Sequence, residues 1–199
     1  MHKSAKKTNQ AHNTVYDQVI HTALHLFTKQ GYFNTSIPDI VHSSGCSTGS
    51  IYHHFKDKEG IASALYENLL ERMNSSLDEI EQKHPTSKLR CRAVIELLFH
   101  LTETEPEVME FILYAKHKEF LPGKRPICSS KPFQKMREFV VLGVDKGEFY
   151  PMDDLIAASS LYGGALRMIY LRLDGVLNYS LMDKLEEVWK CAWRSVAIQ

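Results

Sequence analysis

The stretch TSIPDIVHSSGCSTGSIYHHFKDKEGI, residues 35–61, reads as two short helices joined by a tight turn. Ser36 and Asp39 have the spacing of a capping box, in which two residues satisfy each other's free amides at the start of a helix. Gly45 ends this first helix, and Ser47 is a favoured residue for capping the start of the second. Two short helices around a glycine-containing turn predict a helix-turn-helix unit.

The second short helix has the character that insertion into the major groove of DNA requires. Ile51 and Phe55 lie four residues apart and predict an apolar inner face that packs on the domain. The first turn, residues 47–50, is small and polar, so its backbone amides can approach phosphates and bases. Tyr52 and His53 are expected to project outward, with lysines nearby as phosphate partners. The residues that we expect to contact DNA are Thr35, Ser36, Ser47, Thr48, Gly49, Ser50, Tyr52, His53, Lys56 and Lys58.

The net charge of zero conceals a difference between the two parts of the chain. Residues 1–58 contain six lysines and three acidic residues, whereas residues 59–199 contain 18 basic and 21 acidic residues. The two parts therefore carry formal charges of +3 and −3, and seven of the ten histidines lie in the basic part. The basic charge of residues 1–58 favours contact with a polyanion. A charge difference of this size is also found on ordinary solvated surfaces.

The remainder of the 199-residue sequence also reads as helix, with no convincing strand. Apolar residues recur with helical spacing in residues 13–30, and every four residues in a long helix that begins at Lys58. Further helices are predicted at residues 87–103, 106–119, 131–146, 153–173 and 180–197. We therefore expect an all-α protein of about nine helices. The expected domains are a three-helix helix-turn-helix domain at residues 1–58, ordered from about residue 12, and a helical bundle at residues 59–199.

Residues 35–61 resemble the DNA-binding domain of the TetR/AcrR (tetracycline-repressor-like) family of transcriptional regulators. That family's recognition helix has the pattern Ser-x-Gly-x-Ile/Leu-Tyr-x-His/Tyr-Phe, which residues 47–55 match. The preceding stretch ALHLFTKQGYFNTS, residues 23–36, fits the family's first helix and the junction that follows it. The resemblance covers about residues 12–70, and beyond them only length and helical content agree.

Four places depart from the family's pattern: Val41, Ser44, Cys46 and the Gly60-Ile61 pair. We interpret them as changes of size at positions that face the core, which cores often tolerate. Gly60 lies near the start of a helix, where glycine is expected to cost on the order of 1 kcal/mol at most relative to alanine.

The resemblance implies a homodimer that binds an inverted-repeat operator in double-stranded DNA with one recognition helix from each copy. It also implies an unknown small-molecule effector that binds in the C-terminal bundle and weakens DNA binding, so that the protein acts as a repressor. Two alternatives stay open, a helix-turn-helix activator and an adaptor without a small-molecule effector. The expected location is the cytoplasm, and no membrane-spanning run or secretory signal is visible in the sequence.

The helices predicted at residues 153–173 and 180–197 are the expected dimer helices. The first is rich in Ala, Ser and Gly, which let two helices approach closely, and the second carries large aromatic residues of the kind favoured at interfaces. Packing within one chain would explain the small residues equally well. The candidates for the dimer interface are Ser160, Gly163, Gly164, Leu185, Trp189 and Trp193.

A ligand pocket is expected among the helices of the bundle, as the resemblance implies. Small-molecule pockets combine mostly apolar walls with a few polar groups, and these helices supply both kinds of residue. Each candidate also has an ordinary alternative, as core or as solvated surface. The candidates for ligand binding are Met73, Phe99, Phe111, Tyr114, His117, Phe139, Tyr162, Arg167 and Tyr170.

Motifs for catalysis and metal binding are missing from the sequence. It has no Gly-rich phosphate loop, no Gly-x-Ser-x-Gly and no paired-carboxylate signature, so we expect no catalytic residue and no cofactor. His21 and His25 lie four residues apart but lack a third ligand. The adjacent His53 and His54 point in different directions on a helix, so we expect no metal site. The four cysteines are scattered and read as reduced thiols, with a redox-sensitive Cys128 beside basic residues as the alternative.

Overall fold

The computed structural model describes residues 5–124 and 127–198, with side chains from Val15 onward except that of Cys128. Within these ranges it contains ten α-helices, two short 3-10 helices and one isolated antiparallel bridge, between Phe149 and Ala197. The α-helices are α1 (Ala5–Lys29), α2 (Ile37–Ser44), α3 (Thr48–Phe55), α4 (Lys58–Lys83), α5 (Ser87–Thr104), α6 (Pro106–Tyr114), α7 (His117–Phe120), α8 (Lys131–Asp145), α9 (Asp154–Leu173) and α10 (Leu185–Arg194). The 3-10 helices are Ile127–Ser129 and Leu181–Lys184. The predicted all-α class is confirmed.

Two of the predicted helices are divided in the structure. The helix predicted at residues 106–119 is α6 followed by α7, because the chain turns after Tyr114 and buries the side chains of His117 and Phe120. The helix predicted at residues 180–197 begins as a 3-10 helix and becomes α-helical only at α10. These breaks follow from packing between elements, which helical periodicity along the sequence does not record.

The chain divides into two compact units. The first comprises the described residues up to Leu69 together with residues 110–124, so it holds α1–α3, the first part of α4, the end of α6 and all of α7. The second comprises residues 70–109 and the described residues beyond 124. The domain boundary predicted between residues 58 and 59 stays a prediction, because compactness does not say which residues bind DNA or a ligand.

The core of the first unit is built on one face of α1, which begins at Ala5, before the predicted start of the helix. Val19, Ala23 and Phe27 recur every four residues along this face and are buried. Ile40 of α2 and Ile51 of α3 are also buried, and α1 packs against both helices. Burial of a large aliphatic side chain contributes about 1.5–3 kcal/mol. The long helix α1 therefore holds the two short helices in place.

The second unit is a bundle in which α5, α8, α9 and α10 pack against one another. Phe99, Phe139 and Leu161 are buried in its core. A β-carbon on Gly143 of α8 would lie 2.3 Å from the ring of Phe149, so this close approach requires glycine.

Candidate DNA-binding site

The start of α2 is fixed by reciprocal hydrogen bonds between Ser36 and Asp39. The Ser36 amide donates to Asp39 Oδ2 over 2.7 Å, and the Asp39 amide donates to Ser36 Oγ over 3.3 Å. Hydrogen bonds from Ser36 also lower the pKa of Asp39, which keeps the carboxylate ionised. The predicted capping box is confirmed, and Ser36 is exposed at the surface with its hydroxyl already engaged.

The turn between α2 and α3 follows the sequence prediction. Gly45 has a φ of +67°, in the left-handed region that favours glycine, and ends α2 through a hydrogen bond to the last turn of that helix. The Ser50 amide donates to Ser47 Oγ over 3.1 Å and so caps α3. Between these residues, the buried thiol of Cys46 lies 3.4 Å from Gln18 Oε1 on α1. The turn is thus tied to α1 as well as to the helices that it joins.

The helix α3 has a buried face and an exposed face. Ile51 and Phe55 are buried, and the Phe55 ring stacks on Tyr16 of α1 with ring centroids 5.1 Å apart. The exposed residues of α3 and its C-cap are Thr48, Gly49, Tyr52, His53 and Lys56. Their spacing places them on one side of the helix. This set, named the α3 exposed face below, contains half of the residues that we expect at DNA.

The structure gives no internal reason for glycine at position 49. A β-carbon on Gly49 would meet no described atom within 4 Å beyond its chain neighbours and the backbone of its own helix, and the residue has helical backbone. Glycine in a helix costs about 1 kcal/mol relative to alanine. The missing side chain leaves the surface around the first turn open to a binding partner, although the Ser50 amide is already bonded to Ser47.

Two residues expected at DNA are engaged inside the first unit instead. Thr35 is 1% exposed, and its hydroxyl donates to the Gly31 carbonyl over 2.9 Å. Lys58 Nζ donates to the carbonyls of Tyr32 and Thr35 over 2.9 and 2.8 Å. The ammonium also lies 4.2 Å from the centroid of the Tyr32 ring, and burial lowers the pKa of Lys58. Both residues hold the segment before α2, and a direct DNA contact by either one stays a prediction.

A strained turn joins α3 to α4. Lys56 has φ +65° and ψ −49°, and the Asp57 amide donates to the Phe55 carbonyl over 2.8 Å. These values define the rare, strained form of the three-residue γ-turn. The Gly60 amide donates to Asp57 Oδ1 over 2.7 Å at the start of α4. A β-carbon on Gly60 would lie 1.8 Å from the Phe55 oxygen, so the expectation that alanine would be better at this position is wrong.

Two tyrosines support the site although the sequence analysis does not assign them to it. Tyr16 belongs to the apolar stripe of α1, and its ring contacts Phe55 and lies 6.4 Å from the ring of His54 between centroids. Tyr32 stacks on Phe120 with ring centroids 4.4 Å apart, and the Lys58 ammonium lies over its ring. The helical spacing of Tyr16 within the apolar stripe predicts that its ring faces the other helices of the first unit. No feature of the sequence predicts the contacts of Tyr32.

The ligand-binding candidates are distributed over both compact units. Three belong to the first unit: Phe111, Tyr114 and His117. Six belong to the second unit: Met73, Phe99, Phe139, Tyr162, Arg167 and Tyr170.

Several candidates in the second unit have the contacts of an ordinary core. Phe99, Phe139 and Tyr162 are buried, and the Tyr162 hydroxyl donates to the Met136 carbonyl over 3.4 Å. Burial raises the pKa of Tyr162, so the phenol stays protonated. Arg167, by contrast, is exposed on α9. A ligand role for these residues stays a prediction.

His117 is buried among aromatic side chains of the first unit. Its ring centroid lies 4.9 Å from that of Tyr66 and 5.0 Å from that of Phe111. Among the described residues, Nε2 of His117 has no hydrogen-bond partner. Burial lowers the pKa of His117, so the fold favours the neutral imidazole.

The dimer-interface candidates separate into exposed and buried residues. Three are exposed on α9: Ser160, Gly163 and Gly164. Leu185 and Trp189 are buried within the second unit. Trp193 is half-buried, with its ring centroid 5.3 Å from that of Phe149. Leu185 and Trp189 already pack within the chain, and an interface role for them stays a prediction.

The remaining candidate chemistry involves metal-binding and thiol groups. No group of three His, Cys, Asp or Glu side chains in the described part of the chain could hold a metal ion. Burial raises the pKa of Cys91 to about 12, which keeps this thiol protonated, whereas Cys191 is exposed. The side chain of Cys128, the alternative redox-sensitive thiol, lies outside the described residues. Among the described helices, none combines the length and apolar character needed to cross a membrane.

Comparison with known sequences identifies a family and relatives that match part of the chain. The family model described as bacterial regulatory proteins, tetR family, matches residues 19–65. The HTH-type transcriptional regulator AcrR of Shigella flexneri is 34% identical over 107 residues, which cover 50% of this chain and 46% of that protein. The HTH-type transcriptional regulator HbdR of Aromatoleum sp. is 38% identical over 79 residues, which cover 39% of this chain and 34% of that protein. The chain spans less than half the length of these two relatives.

Comparison with solved structures extends over nearly the whole chain. A TetR family transcription regulator from Marinobacter aquaeolei has a TM-score of 0.79 at 15% identity, covering 96% of this chain and 100% of that one. The transcriptional regulator FadR from Bacillus subtilis, in complex with stearoyl-CoA, has a TM-score of 0.75 at 21% identity, covering 90% of this chain and 98% of that one. At these identities the likeness shows a shared fold.

Proposed function

Because this chain belongs to the tetR family of bacterial regulatory proteins, we propose that it is a DNA-binding transcriptional repressor. In this proposal it binds an inverted-repeat operator as a homodimer and is released by a small-molecule effector. The observation that carries the proposal is the α3 exposed face, which combines a small first turn with Tyr52, His53 and Lys56.

The residues of the α3 exposed face suit different contacts with DNA. The amides of the first turn, around Gly49, lie at the positive end of the helix dipole and bind a backbone phosphate. Tyr52 and His53 contact base edges or phosphates, and Lys56 neutralises a phosphate. Lys58 acts indirectly, by holding the segment that leads into α2.

A second copy of the chain is proposed to pack on the exposed side of α9. Leu155 and Ile156 are 59% and 60% exposed, and Ser160, Gly163 and Gly164 continue the same side of the helix. β-carbons added to the two glycines would meet no described atom within 4 Å. A groove of about 440 Å³ runs beside them between α9 and α10. Small residues next to exposed apolar side chains suit close contact between two helices across a two-fold axis.

The proposed effector is a small apolar or amphipathic molecule. The support is the family, together with the structurally similar FadR from Bacillus subtilis, which was solved in complex with stearoyl-CoA. To release DNA, an effector must bind the DNA-free form of the protein more tightly than the DNA-bound form.

Selection from random double-stranded DNA at low salt tests the proposal. We expect an enriched inverted repeat and an affinity that falls steeply with salt, because each neutralised phosphate contributes about 0.9 to the logarithmic slope. A purified protein that enriches no duplex would contradict the proposal. A reporter gene placed behind the enriched sequence then separates a repressor from an activator.

Substitution of an exposed tyrosine tests the role of α3 itself. Tyr52→Ala should weaken binding to the enriched duplex without lowering the unfolding midpoint, because the residue is 47% exposed. Tyr150→Ala is the matched control, since its ring is 45% exposed in the second unit. Equal affinities of the two variants would exclude α3 as the element that reads DNA.

A further inference from the structure

The first unit contains a half-open cleft of about 320 Å³ between the end of α1 and the α6–α7 segment. This volume lies at the lower end of the range for small-molecule sites. All of its walls come from residues of the first unit, and the α3 exposed face takes no part in it. The cleft is therefore separate from the proposed DNA contacts and belongs to one compact unit.

Half of the residues that line the cleft have aromatic side chains. The six that line it are Phe27, Tyr32, Phe33, Phe111, Tyr114 and Phe120. Tyr32 and Phe120 stack with an interplanar angle of 17°, and Phe33 meets the Tyr32 ring edge-on with centroids 5.3 Å apart. Tyr32 can offer only its ring edge, because other groups cover both of its faces, whereas the remaining aromatic walls can offer ring faces as well as edges to a flat ligand.

The central wall residue is held in place by its own contacts. The Lys58 ammonium lies 4.2 Å from the Tyr32 ring centroid, and the Phe120 ring stacks at 4.4 Å. Two groups so close to one centroid cannot share a face, so they cover opposite faces of the Tyr32 ring. A wall that is already ordered lowers the entropic cost of binding a ligand.

The charge inside the cleft is set by Glu110. Its side chain is 24% exposed, and its carboxylate pairs with Lys29 Nζ across 3.8 Å, at the outer limit of an ion pair. Glu119 and Lys116 also line the cleft but pair with each other at 3.3 Å, with both side chains more than half exposed. Lys29 and Lys116 are both more than half exposed, so solvent screens their charges more than it screens Glu110. The charge of Lys58 on the Tyr32 ring is partly offset by the two backbone carbonyls that accept from it. The sheltered carboxylate of Glu110 therefore gives the interior a negative potential.

We propose that this cleft binds a small planar aromatic molecule that carries a positive charge. The aromatic part stacks against the ring walls, and the cation is attracted both by the ring faces and by Glu110. An anion of the same size would meet the same walls but would be repelled by Glu110. The site goes beyond the bundle pocket of the proposed function, and ligand binding there requires no DNA.

Isothermal titration calorimetry of the full chain, without DNA, tests the proposal. The probe is 2-naphthylmethylammonium, and 2-naphthoate serves as the comparison because it carries the same ring with the opposite charge. We expect one cation bound per chain and an affinity for the anion that is weaker by about tenfold or more.

Two variants and one control connect the binding to the cleft. Glu110→Gln removes the charge with little change in size and should weaken cation binding by about tenfold. Phe33→Ala removes a wall residue that is 64% exposed, so it should weaken binding of the cation while the protein stays folded. Glu71→Gln, at an exposed carboxylate of α4 outside the cleft, should bind the cation as the unaltered chain does.

Three results would overturn the proposal: no measurable binding of the cation, equal affinity for the cation and the anion, or unchanged cation affinity in both Glu110→Gln and Phe33→Ala. Circular dichroism melting of each variant shows that a lost signal reflects the cleft and not unfolding. Because the titration uses DNA-free protein, a failure to bind DNA would overturn the proposed function alone.

Discussion

The carbonyl oxygen of Phe55 lies 1.8 Å from the position that a β-carbon on Gly60 would occupy. The same oxygen accepts the Asp57 amide over 2.8 Å, so it cannot turn away without breaking that hydrogen bond. The end of α3 and the start of α4 are therefore joined at a place where only a hydrogen atom fits.

Gly60→Ala should lower the free energy of unfolding. The added methyl group meets backbone rather than a flexible side chain, and overpacking of this kind costs about 1–3 kcal/mol. Urea unfolding followed by circular dichroism measures the change. A midpoint equal to that of the unaltered chain would show that the joint between α3 and α4 relaxes freely.

Gly49→Ala should have the opposite effect on stability and a negative effect on DNA binding. The methyl group enters open space on a helix, so the free energy of unfolding should rise by up to about 1 kcal/mol. The same methyl group covers the first-turn amides, so affinity for the selected duplex, measured by fluorescence anisotropy, should fall. Unchanged affinity would show that these amides do not approach the DNA.

Lys56→Met and Lys58→Met should separate a DNA contact from an internal support. Lys56→Met should reduce the salt slope of DNA binding by about 0.9, the contribution of one phosphate, and leave stability unchanged. Lys58→Met leaves two backbone carbonyls without their charged donor, so it should lower the free energy of unfolding by about 1–3 kcal/mol. The salt dependence of DNA binding by Lys58→Met should equal that of the unaltered chain. The reverse assignment of the two effects would refute the positioning role of Lys58.

His117 should make the protein less stable in mild acid. Burial lowers the pKa of His117 in the folded state, whereas the unfolded chain keeps the ordinary value of about 6.5. Below that pH the unfolded state binds a proton that the folded state does not, so the free energy of unfolding falls as the pH falls toward the folded pKa.

Urea unfolding at a series of pH values measures this loss. His117→Phe places a ring without a titratable group in the same aromatic cluster, so its stability should decline less between about pH 7 and pH 5. The other histidines are common to both proteins and cancel in the comparison. Parallel pH profiles would exclude His117 as the source of the acid sensitivity.

Ile156→Lys should convert the proposed dimer to monomers. The side chain is 60% exposed in the single chain, so the substitution should leave the fold intact, but an interface on α9 would bury the new charge without a partner. Light scattering coupled to size-exclusion chromatography measures the mass. Val176→Lys, at a position 66% exposed after the end of α9, is the control and should remain dimeric.

Local hydrogen-bond chemistry explains which parts of the site the sequence could predict. The Ser36–Asp39 box, the left-handed Gly45 and the Ser47 cap each act within four residues, so residue type and spacing are sufficient to locate them. Lys58 differs because its acceptors lie 26 and 23 residues away along the chain. No periodicity or motif encodes a contact at that separation, so the sequence does not distinguish a lysine that binds inside the fold from one that extends into solvent.

Packing of large side chains limits prediction in the bundle in a similar way. Leu185 and Trp189 have the apolar area that either a core or a subunit interface requires, and their helical spacing is the same in both cases. The structure buries them inside one chain. The Ala, Ser and Gly residues of α9 also suit either packing within one chain or contact between two chains. In the structure Gly163 and Gly164 are exposed.

The γ-turn at Lys56 places a side chain proposed to help DNA binding in a backbone conformation that lowers the stability of the fold. A side chain in this backbone conformation costs on the order of 1–3 kcal/mol, whereas glycine adopts it without a steric penalty. The substitution that would relax the fold most directly, Lys56→Gly, would therefore also remove a cation from the surface proposed to contact DNA. Selection for heat resistance alone should therefore favour glycine at position 56, and the more stable variant should bind the selected duplex less tightly.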